Sequence, residues 1–213
     1  MEKIFEKVLL NLKNNNMEAY FAEKKEDIPE IVKGLLKKGE VISCGGSVTL
    51  SQCGVIELMK NGDYVFLDRS VPGLTREEIE DIYKKTFSAD ALITSVNALT
   101  QEGELINVDG NGNRVAAMLF GPASVICVVG KNKLVSDVRE GFHRIKTVAA
   151  PLNAKRLNMQ TPCASLGHCI YPDSDITKGC LCEDRICSHY TVCGLQRKKN
   201  RIKVILCGED LGY

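Results

Sequence analysis

Long hydrophobic runs, aromatic residues and net charge are all scarce in this chain of 213 residues. No apolar run approaches the roughly 18 residues that a transmembrane helix needs, so we expect no membrane-spanning helix. Aromatic residues make up 6% of the chain, tryptophan is absent, and 28 basic residues nearly balance 27 acidic ones. Nucleic-acid-binding modules usually combine a basic face with stacking aromatics, so neither DNA nor RNA is an expected partner.

Several signals with known meanings are also missing. No basic stretch followed by an apolar core opens the chain, so a secretory signal is not expected. We therefore expect a cytoplasmic protein, in which disulfides are uncommon. The chain has neither a Walker A loop nor a GxGxxG fingerprint. It also shows no Ser-His-Asp or Cys-His-Asn arrangement, and Cys53 has no obvious base beside it.

Short apolar runs alternate with amphipathic segments through the first 145 residues, in an ordinary globular composition of 44% hydrophobic residues. This order predicts an α/β fold with a mostly parallel sheet and flanking helices, in one domain over 1–213. Capping boxes are predicted at Asp27–Glu30 and Thr75–Glu78. Helices are predicted over 1–15, from Asp27 to Gly39, from Thr49 to Met59, after Thr75 and over Leu134–Phe142, and strands at 17–22, 41–44, 64–67, 91–96, 125–129 and 202–206.

A glycine loop follows the strand at 41–44. Gly45 and Gly46 come directly after this strand, and Ser47 and Thr49 precede or open the next helix. Glycines let the backbone approach an anion, and a helix start offers free N–H groups. The sequence therefore predicts either a phosphate- or carboxylate-binding loop or a plain strand-to-helix turn with a serine cap.

Polar side chains gather on either side of Asp109–Gly112, which has the composition of a hairpin turn between 104–107 and 115–120. The group consists of Asn97, Thr100, Asn107, Asp109, Asn113 and Arg114. Arginine can hold a carboxylate or phosphate with two hydrogen bonds. Turn chemistry explains the Asx and Gly residues equally well, but it explains Arg114 and Asn97 less well.

Ten cysteines are present, and six of them fall within 31 residues: Cys163, Cys169, Cys180, Cys182, Cys187 and Cys193. The segment 161–200 shows no periodicity and few large aliphatics, so we expect a loop that something else organises. Thiolates at such spacing can bind zinc or hold an iron–sulfur cluster, and the metal would stabilise the segment. Free redox thiols and structural thiols remain alternatives. His168 and His189 can also act as ligands, whereas His143 suits a helix C-terminus.

Taken together, these residues resemble the lactate-utilization (LUD) domain family. The resemblance runs in order through nearly the whole chain and is carried by residues 46–50, 68–69, 90–98, 103–105, 112–116, 121–122, 128–133, 150–153, 161–163, 185–187 and 208–212. It implies a fold similar to the sugar-phosphate isomerase and CoA-transferase (NagB/RpiA-like) superfamily. It also implies a link to bacterial oxidation of L-lactate to pyruvate, similar to the third subunit of L-lactate utilization operons, which accompanies iron–sulfur subunits.

Carried over by position, the resemblance places two groups of residues. The glycine loop from Gly45 to Thr49 and the turn Gly112–Arg114 would line a ligand pocket, and Cys163, Cys169, Cys180 and Cys187 match the recurring family cysteines. With the polar group around Asp109–Gly112 included, the predicted ligand-binding residues are Gly45, Gly46, Ser47, Thr49, Asn97, Thr100, Asn113 and Arg114. Cys182 and Cys193 are additional, and an insertion is expected around 171–178. The family often has an acid where Gln52 stands, which leaves no acid–base group at that position.

Two classes of function follow. The chain is either an enzyme or enzyme subunit that binds a small carboxylate, nucleotide or CoA-like ligand, or a zinc- or iron–sulfur-binding accessory or electron-transfer subunit. The expected partners are a small-molecule ligand, iron–sulfur subunits and a second copy of the chain, with no nucleic acid and no membrane. The segment 201–213 is expected to return to the sheet as the last strand.

Overall fold

The structure, a computed structural model, describes residues 2–213. The strands are β1 Glu18–Ala22, β2 Val41–Cys44, β3 Val65–Leu67, β4 Ala91–Thr94, β5 Ala98–Thr100, β6 Leu105–Asp109, β7 Ser124–Gly130, β8 Leu134–Val135, β9 His189–Cys193 and β10 Ile202–Cys207. The helices are α1 Lys3–Asn14, α2 Ile28–Leu35, α3 Val48–Gln52, α4 Val55–Asn61, α5 Arg76–Thr86, α6 Asn113–Leu119, α7 Val138–Arg144, α8 Ala150–Arg156 and α9 Pro162–Leu166.

Six parallel strands form the main sheet in the order β1-β10-β7-β4-β2-β3. Alternate residues of its central strands enter two cores on opposite faces of the sheet. Leu92, Val125 and Val204 pack in one core, and Ile93, Ile126 and Ile205 pack in the other. A parallel sheet covered on both faces is the class that alternating strands and helices predict, so the expected α/β fold is confirmed.

A second, smaller sheet has the order β8-β5-β6-β9. In it, β6 pairs antiparallel with both β5 and β9, and β8 pairs parallel with β5. Ile106, Phe142 and Ile145 belong to a third core under this sheet. This sheet therefore ties the segment before α6 to the cysteine-rich segment that contains β9.

The predicted hairpin around Asp109–Gly112 is wrong, because its second half forms helix α6. The Asp109 carboxylate accepts hydrogen bonds from the backbone N–H groups of Arg114 and Val115, both at 3.0 Å, which caps the helix. Gly112 has φ of +80°, which lets the chain turn directly from β6 into the helix. The strand partners of β6 are found elsewhere in the sequence.

Four other local expectations need correction. Asp27 accepts from the backbone of Lys24 and so caps a preceding 3-10 turn, leaving α2 without a capping box. The predicted helix over 49–59 is two helices, because Gly54 adopts φ of +72° between them. The helix predicted from Leu134 begins only at Val138, after Asp137 caps it. The cysteine-rich segment, expected to be a loop, contains α9 and β9.

Candidate functional site

A cavity of about 400 Å³ lies where the carboxyl ends of the central strands meet. The loops that follow β2, β4 and β7 each contribute to its wall, as does the segment after β10. In open α/β sheets, this is the edge at which ligands bind. The residues that line the cavity include Gly46, Ser47, Thr49, Arg69, Tyr83, Ser95, Asn97, Asp109, Asn113, Arg114, Lys133, Asn153, Arg156, Glu183, Asp184, Arg185, Gly212 and Tyr213.

The two loop glycines make room for arginine side chains. A Cβ on Gly46 would lie 2.5 Å from an Arg69 guanidinium nitrogen, and a Cβ on Gly45 would lie 2.9 Å from Arg114 Cδ. Ser47 accepts a hydrogen bond from the backbone of Leu50 at 3.3 Å and thereby caps α3. The glycines of this loop thus leave space for two arginine side chains. The serine cap is a feature that a plain strand-to-helix turn would also have.

Lys133 forms part of the cavity wall and is only 3% exposed. Its Nζ donates to Thr49 Oγ1 at 2.8 Å and to Ser95 Oγ at 2.9 Å. Within residues 2–213, no carboxylate forms an ion pair with this amine. Burial lowers the pKa of Lys133 to about 7, with a further contribution from the positive charges of Arg144 and Arg114.

Arg114 lies at the centre of a hydrogen-bond network. Its Nε donates to Asp109 at 3.1 Å, and its terminal nitrogens donate to the side chains of Asn107 and Asn97 and to the carbonyls of Ser95 and Val108. These acceptors occupy all five N–H donors of the guanidinium. Arg114 therefore orders the cavity wall and contributes positive charge, and a direct bond to a ligand requires that one of these bonds break.

Of the eight residues predicted to bind a ligand, six line the cavity: Gly46, Ser47, Thr49, Asn97, Asn113 and Arg114. Gly45 lies next to the cavity, behind Arg114. Thr100 lies away from it in β5, where its hydroxyl donates to the Glu104 carboxylate at 2.9 Å and accepts from the Glu104 N–H. Thr100 thus stabilises the turn between β5 and β6.

Three arginines of the cavity wall were not among the predicted site residues. Arg69 follows β3 and lies 5.3 Å from the ring centre of Tyr83, to whose hydroxyl it also donates. Arg156 at the end of α8 donates to Tyr213 Oη at 2.7 Å and to Asn153. Arg185 comes from the cysteine-rich segment. The position of Arg69 after a strand was a usable signal, whereas α8 and the cysteine-rich segment gave none.

The cavity carries an excess of positive charge. Five basic side chains line it, namely Arg69, Arg114, Lys133, Arg156 and Arg185, against three carboxylates, Asp109, Glu183 and Asp184. Among the described residues, only Arg114 of these five forms an ion pair, with Asp109. Because the other four cations lack a carboxylate partner, the cavity is electrostatically suited to an anion.

The four cysteines predicted to bind metal line a second, small cavity. Cys163, Cys169, Cys180 and Cys187 share its walls with mostly apolar residues, among them Ile145 and Pro151. Burial raises the pKa of the Cys163 thiol, and the other three cysteines add to this. In the described part of the chain, however, no three His, Cys, Asp or Glu side chains are grouped closely enough to hold a single metal ion.

The remaining cysteines and histidines of this region lie outside that cavity. Cys193 lies in β9 and packs against the first core. The ring of His189 would lie 3.4 Å from a Cβ on Gly112. His168 hydrogen-bonds the carbonyl of its neighbour Cys169 at 3.1 Å. Within the described residues, these three do not form a metal-binding group with the four cysteines. Cys182, in contrast, hydrogen-bonds the Cys180 thiol.

Two basic side chains organise the cysteine-rich segment. Lys146 is buried within a π-helical turn, Ile145–Ala149, and donates to the carbonyls of Tyr171, Ser174 and Asp175. Arg185 donates to the carbonyls of Thr177, Cys180 and Cys187. In the described structure, hydrogen bonds from these two side chains to backbone carbonyls hold the cysteine-rich segment in place.

No helix within residues 2–213 is both long enough and apolar enough to cross a membrane. The sheet, its flanking helices and the cationic cavity define an α/β protein with a ligand-type cavity at the carboxyl ends of its strands. Residues 5–207 match the family model described as the LUD domain. The chain therefore belongs to the LUD domain family, and this membership supports a role related to lactate utilization.

No curated protein is significantly similar to the chain. Among solved structures, a DUF162 family protein from Deinococcus radiodurans is 19% identical, with 96% of this chain and 94% of that chain covered and a TM-score of 0.47. Ribose 5-phosphate isomerase A from Methanocaldococcus jannaschii is 14% identical, with 79% and 78% covered and a TM-score of 0.39. The protein eIF2B beta from Chaetomium thermophilum is 13% identical, with 55% of this chain and 45% of that chain covered and a TM-score of 0.37. One of these three structures is a sugar-phosphate isomerase, the class of enzyme that the family resemblance led us to expect. The TM-scores of all three are below 0.5.

Proposed function

We propose that the chain binds a small organic anion in the cavity at the strand ends, as part of a lactate-utilization system. The observation that carries this proposal is the set of three arginines, Arg69, Arg156 and Arg185, that lack a carboxylate partner within the described residues. Several positive side chains facing one cavity attract a counter-charge. A ligand with carboxylate or phosphate groups supplies that charge.

The size of the cavity sets the class of ligand. A volume of about 400 Å³ falls within the usual range for metabolite and cofactor sites. Small carboxylates fill part of it, and a nucleotide or the phosphate end of a CoA-like molecule fills more. In each case the acidic group is the part of the ligand that the arginines bind, so affinity falls as salt is added.

Isothermal titration calorimetry tests this proposal with L-lactate, pyruvate, AMP and CoA as probes. We expect at least one probe to bind, with weaker binding at high salt. The substitutions Arg69→Gln and Arg156→Gln should each weaken it, because each removes a charged hydrogen-bond donor. Arg76→Gln serves as the control, since Arg76 is almost fully exposed on α5 and pairs only with Glu80. Absence of binding by all four probes, or equal loss in the control, overturns the proposal.

A second candidate function is that of a metal-binding or electron-transfer subunit. It is favoured by the presence of Cys163, Cys169, Cys180 and Cys187 around one cavity with apolar walls. A cluster of several iron atoms lies between its ligands and so needs more widely spaced thiolates than one zinc ion does. Four thiolates are nonetheless a ligand set that both an iron–sulfur cluster and zinc accept, so this candidate includes either metal.

Metal and sulfide analysis of protein purified without oxygen tests this candidate. Iron with sulfide and visible absorbance, lost in Cys163→Ser and kept in Cys193→Ser, would support electron transfer. Cys193 is the control because it belongs to the same segment but lies in β9, outside the cavity. Protein that contains neither iron nor zinc after anaerobic purification and reconstitution contradicts this candidate.

A further inference from the structure

The amine of Lys133 has surroundings that are unusual for a lysine. It is buried in the cavity wall, and its two hydrogen-bond partners are the neutral hydroxyls of Thr49 and Ser95. A Cβ on Gly212 would lie 3.4 Å from Nζ, so the segment after β10 covers the amine on another side. A buried lysine kept for structural reasons normally pairs its charge with a carboxylate or, like Lys146, with several backbone carbonyls.

The charged groups around Lys133 all have the same sign. Arg144, from α7, and Arg114, from α6, are the ionisable residues whose charge acts on it, and both are cations. Arg144 itself donates to the carbonyls of Asn132 and Asn97 rather than to a carboxylate. Desolvation beside other cations is one of the ways in which a lysine amine becomes a nucleophile near neutral pH.

We propose that Lys133 forms a reversible imine with the carbonyl carbon of a 2-oxo acid held in the cationic cavity. The inference rests on the proposed anion-binding function, because the carboxylate of such a ligand is what the cavity arginines would hold. A 2-oxo acid places a carbonyl directly beside its carboxylate. The cavity offers the matching pair, a cationic wall and a nearby amine without a counter-ion.

The step balances without any further reactant. The lone pair of Nζ attacks the carbonyl carbon, and one of the two amine protons passes to the carbonyl oxygen to give a carbinolamine. The second amine proton passes to the hydroxyl, which leaves as water while a carbon–nitrogen double bond forms, with no change in redox state. The hydroxyls of Thr49 and Ser95 already contact Nζ and are placed to exchange protons with it.

The test is reductive trapping of the wild-type protein with pyruvate and sodium cyanoborohydride at pH 7.5, followed by intact mass and peptide mapping. We expect one reduced pyruvate adduct per chain, on Lys133. Lys131, two residues earlier in the same loop and exposed, is the internal control. An ordinary lysine amine is neutral in only about one molecule in a thousand at this pH, so adduct on Lys133 should exceed that on Lys131 by at least roughly tenfold.

Variants and a second ligand separate the possible failures. Lys133→Met should abolish the mapped adduct, and Lys131→Met should leave it unchanged. L-lactate, which has a hydroxyl in place of the 2-oxo group, should bind in calorimetry without any adduct.

The outcomes distinguish the two proposals. Binding of lactate and pyruvate with no adduct on Lys133 overturns the imine and leaves the proposed function intact. An adduct on Lys133 that Arg69→Gln and Arg156→Gln do not reduce overturns the anion-binding proposal instead. Since mapping uses wild-type protein, the test stands even if Lys133→Met fails to fold.

Discussion

At the scale of single residues, two arginines of the cavity differ in what their N–H groups already bind. Arg114 has an acceptor within the protein for every donor it carries. Arg69 donates to the hydroxyl of Tyr83 and lies over its ring, and its other N–H groups remain available for a ligand. Ligand affinity should therefore depend on Arg69 more directly than on Arg114, although only Arg114 is among the predicted ligand-binding residues.

Gly46→Ala tests the role of Arg69 without changing a charge. The new Cβ would meet the Arg69 guanidinium at 2.5 Å and displace it, because this long side chain is the flexible partner. We expect anion affinity to fall about tenfold, within the range for loss of a hydrogen bond to a charged group. Calorimetry measures this, and thermal melting should show little change in stability.

Gly34→Ala is the matched control for that substitution. Gly34 lies inside α2, and a Cβ there would have nothing within 4 Å. Alanine is preferred to glycine in a helix by roughly 0.5–1 kcal/mol, so this variant should be slightly more stable and bind anions normally. Equal affinity in Gly46→Ala and wild type would show that Arg69 does not contact the ligand.

The site was predictable where a local pattern marks it. Two glycines directly after a strand drew attention to Gly46, Ser47 and Thr49, and all three line the cavity. Arg156 and Arg185 could not be placed, since α8 and the cysteine-rich segment reach the cavity only through long-range packing. Lys133 belongs to a run that the family resemblance included, but its burial and the loss of a counter-ion are properties of the folded chain alone.

At the scale of secondary-structure elements, the residues Asp109–Gly112 show how a cap overrides turn composition. Their sequence suits a hairpin, yet the Asp109 carboxylate binds two backbone N–H groups of the next residues and starts α6. The same carboxylate pairs with the Arg114 side chain at 3.1 Å. Local propensity alone does not distinguish these outcomes, because glycine and Asx residues favour both.

Asp109→Ala should therefore cost more stability than the loss of an ordinary cap. The substitution removes the cap of α6 and leaves the mostly buried Arg114 without its carboxylate, so we expect a loss of about 3 kcal/mol. Urea denaturation followed by circular dichroism measures it. The control is Thr75→Ala, which removes the cap of the exposed helix α5 and should cost about 1 kcal/mol. Similar losses in the two variants would mean that the Asp109–Arg114 pair adds nothing.

Strand β9 shows why the cysteine-rich segment was predicted as a loop. It is an edge strand of five residues, His189–Cys193, none of them fully buried, so it lacks the apolar alternation that marks a strand. Its partner β6 lies about eighty residues earlier in the chain. Pairing at that distance depends on the tertiary fold, as do the hydrogen bonds from Lys146 that hold the neighbouring loop.

At the scale of the whole molecule, alternation of strands and helices was enough to predict the α/β class. The strand order was not predictable, because β10, the last strand, lies between β1 and β7 inside the sheet. All six of its residues pair with β7, and its alternate residues fill both cores. The sequence places this strand in the sheet but holds no local signal for which neighbours it takes.

The buried amine of Lys133 should make global stability depend on pH. Burial and the nearby charges of Arg144 and Arg114 lower its pKa to about 7, whereas the unfolded chain keeps an ordinary lysine pKa. Above about pH 7 the unfolded state therefore binds more protons at this residue, and the free energy of unfolding rises with pH. The slope from one such group is at most about 1.4 kcal/mol per pH unit.

Urea denaturation of wild type and Lys133→Met at pH 7.0, 7.5 and 8.0 measures this effect. The window stops below the ordinary pKa of a cysteine thiol, because the raised pKa of buried Cys127 acts in the opposite direction at higher pH. We expect the difference between wild type and variant to shift in favour of wild type as pH rises. Parallel curves for the two proteins would show that Lys133 titrates like a lysine in water.

Arg185 belongs to both cavities at once. Its side chain lines the cationic cavity, while its N–H groups hold the carbonyls of Cys180 and Cys187, whose thiols line the other. If the proposed anion binds, an oxidation or ligation that moves those two cysteines would also move a charge that faces it. By thermodynamic reciprocity, an anion on Arg185 would then change the free energy of the thiol reaction by the same amount. The state of the thiols and the occupancy of the cationic cavity would thus influence each other through one side chain.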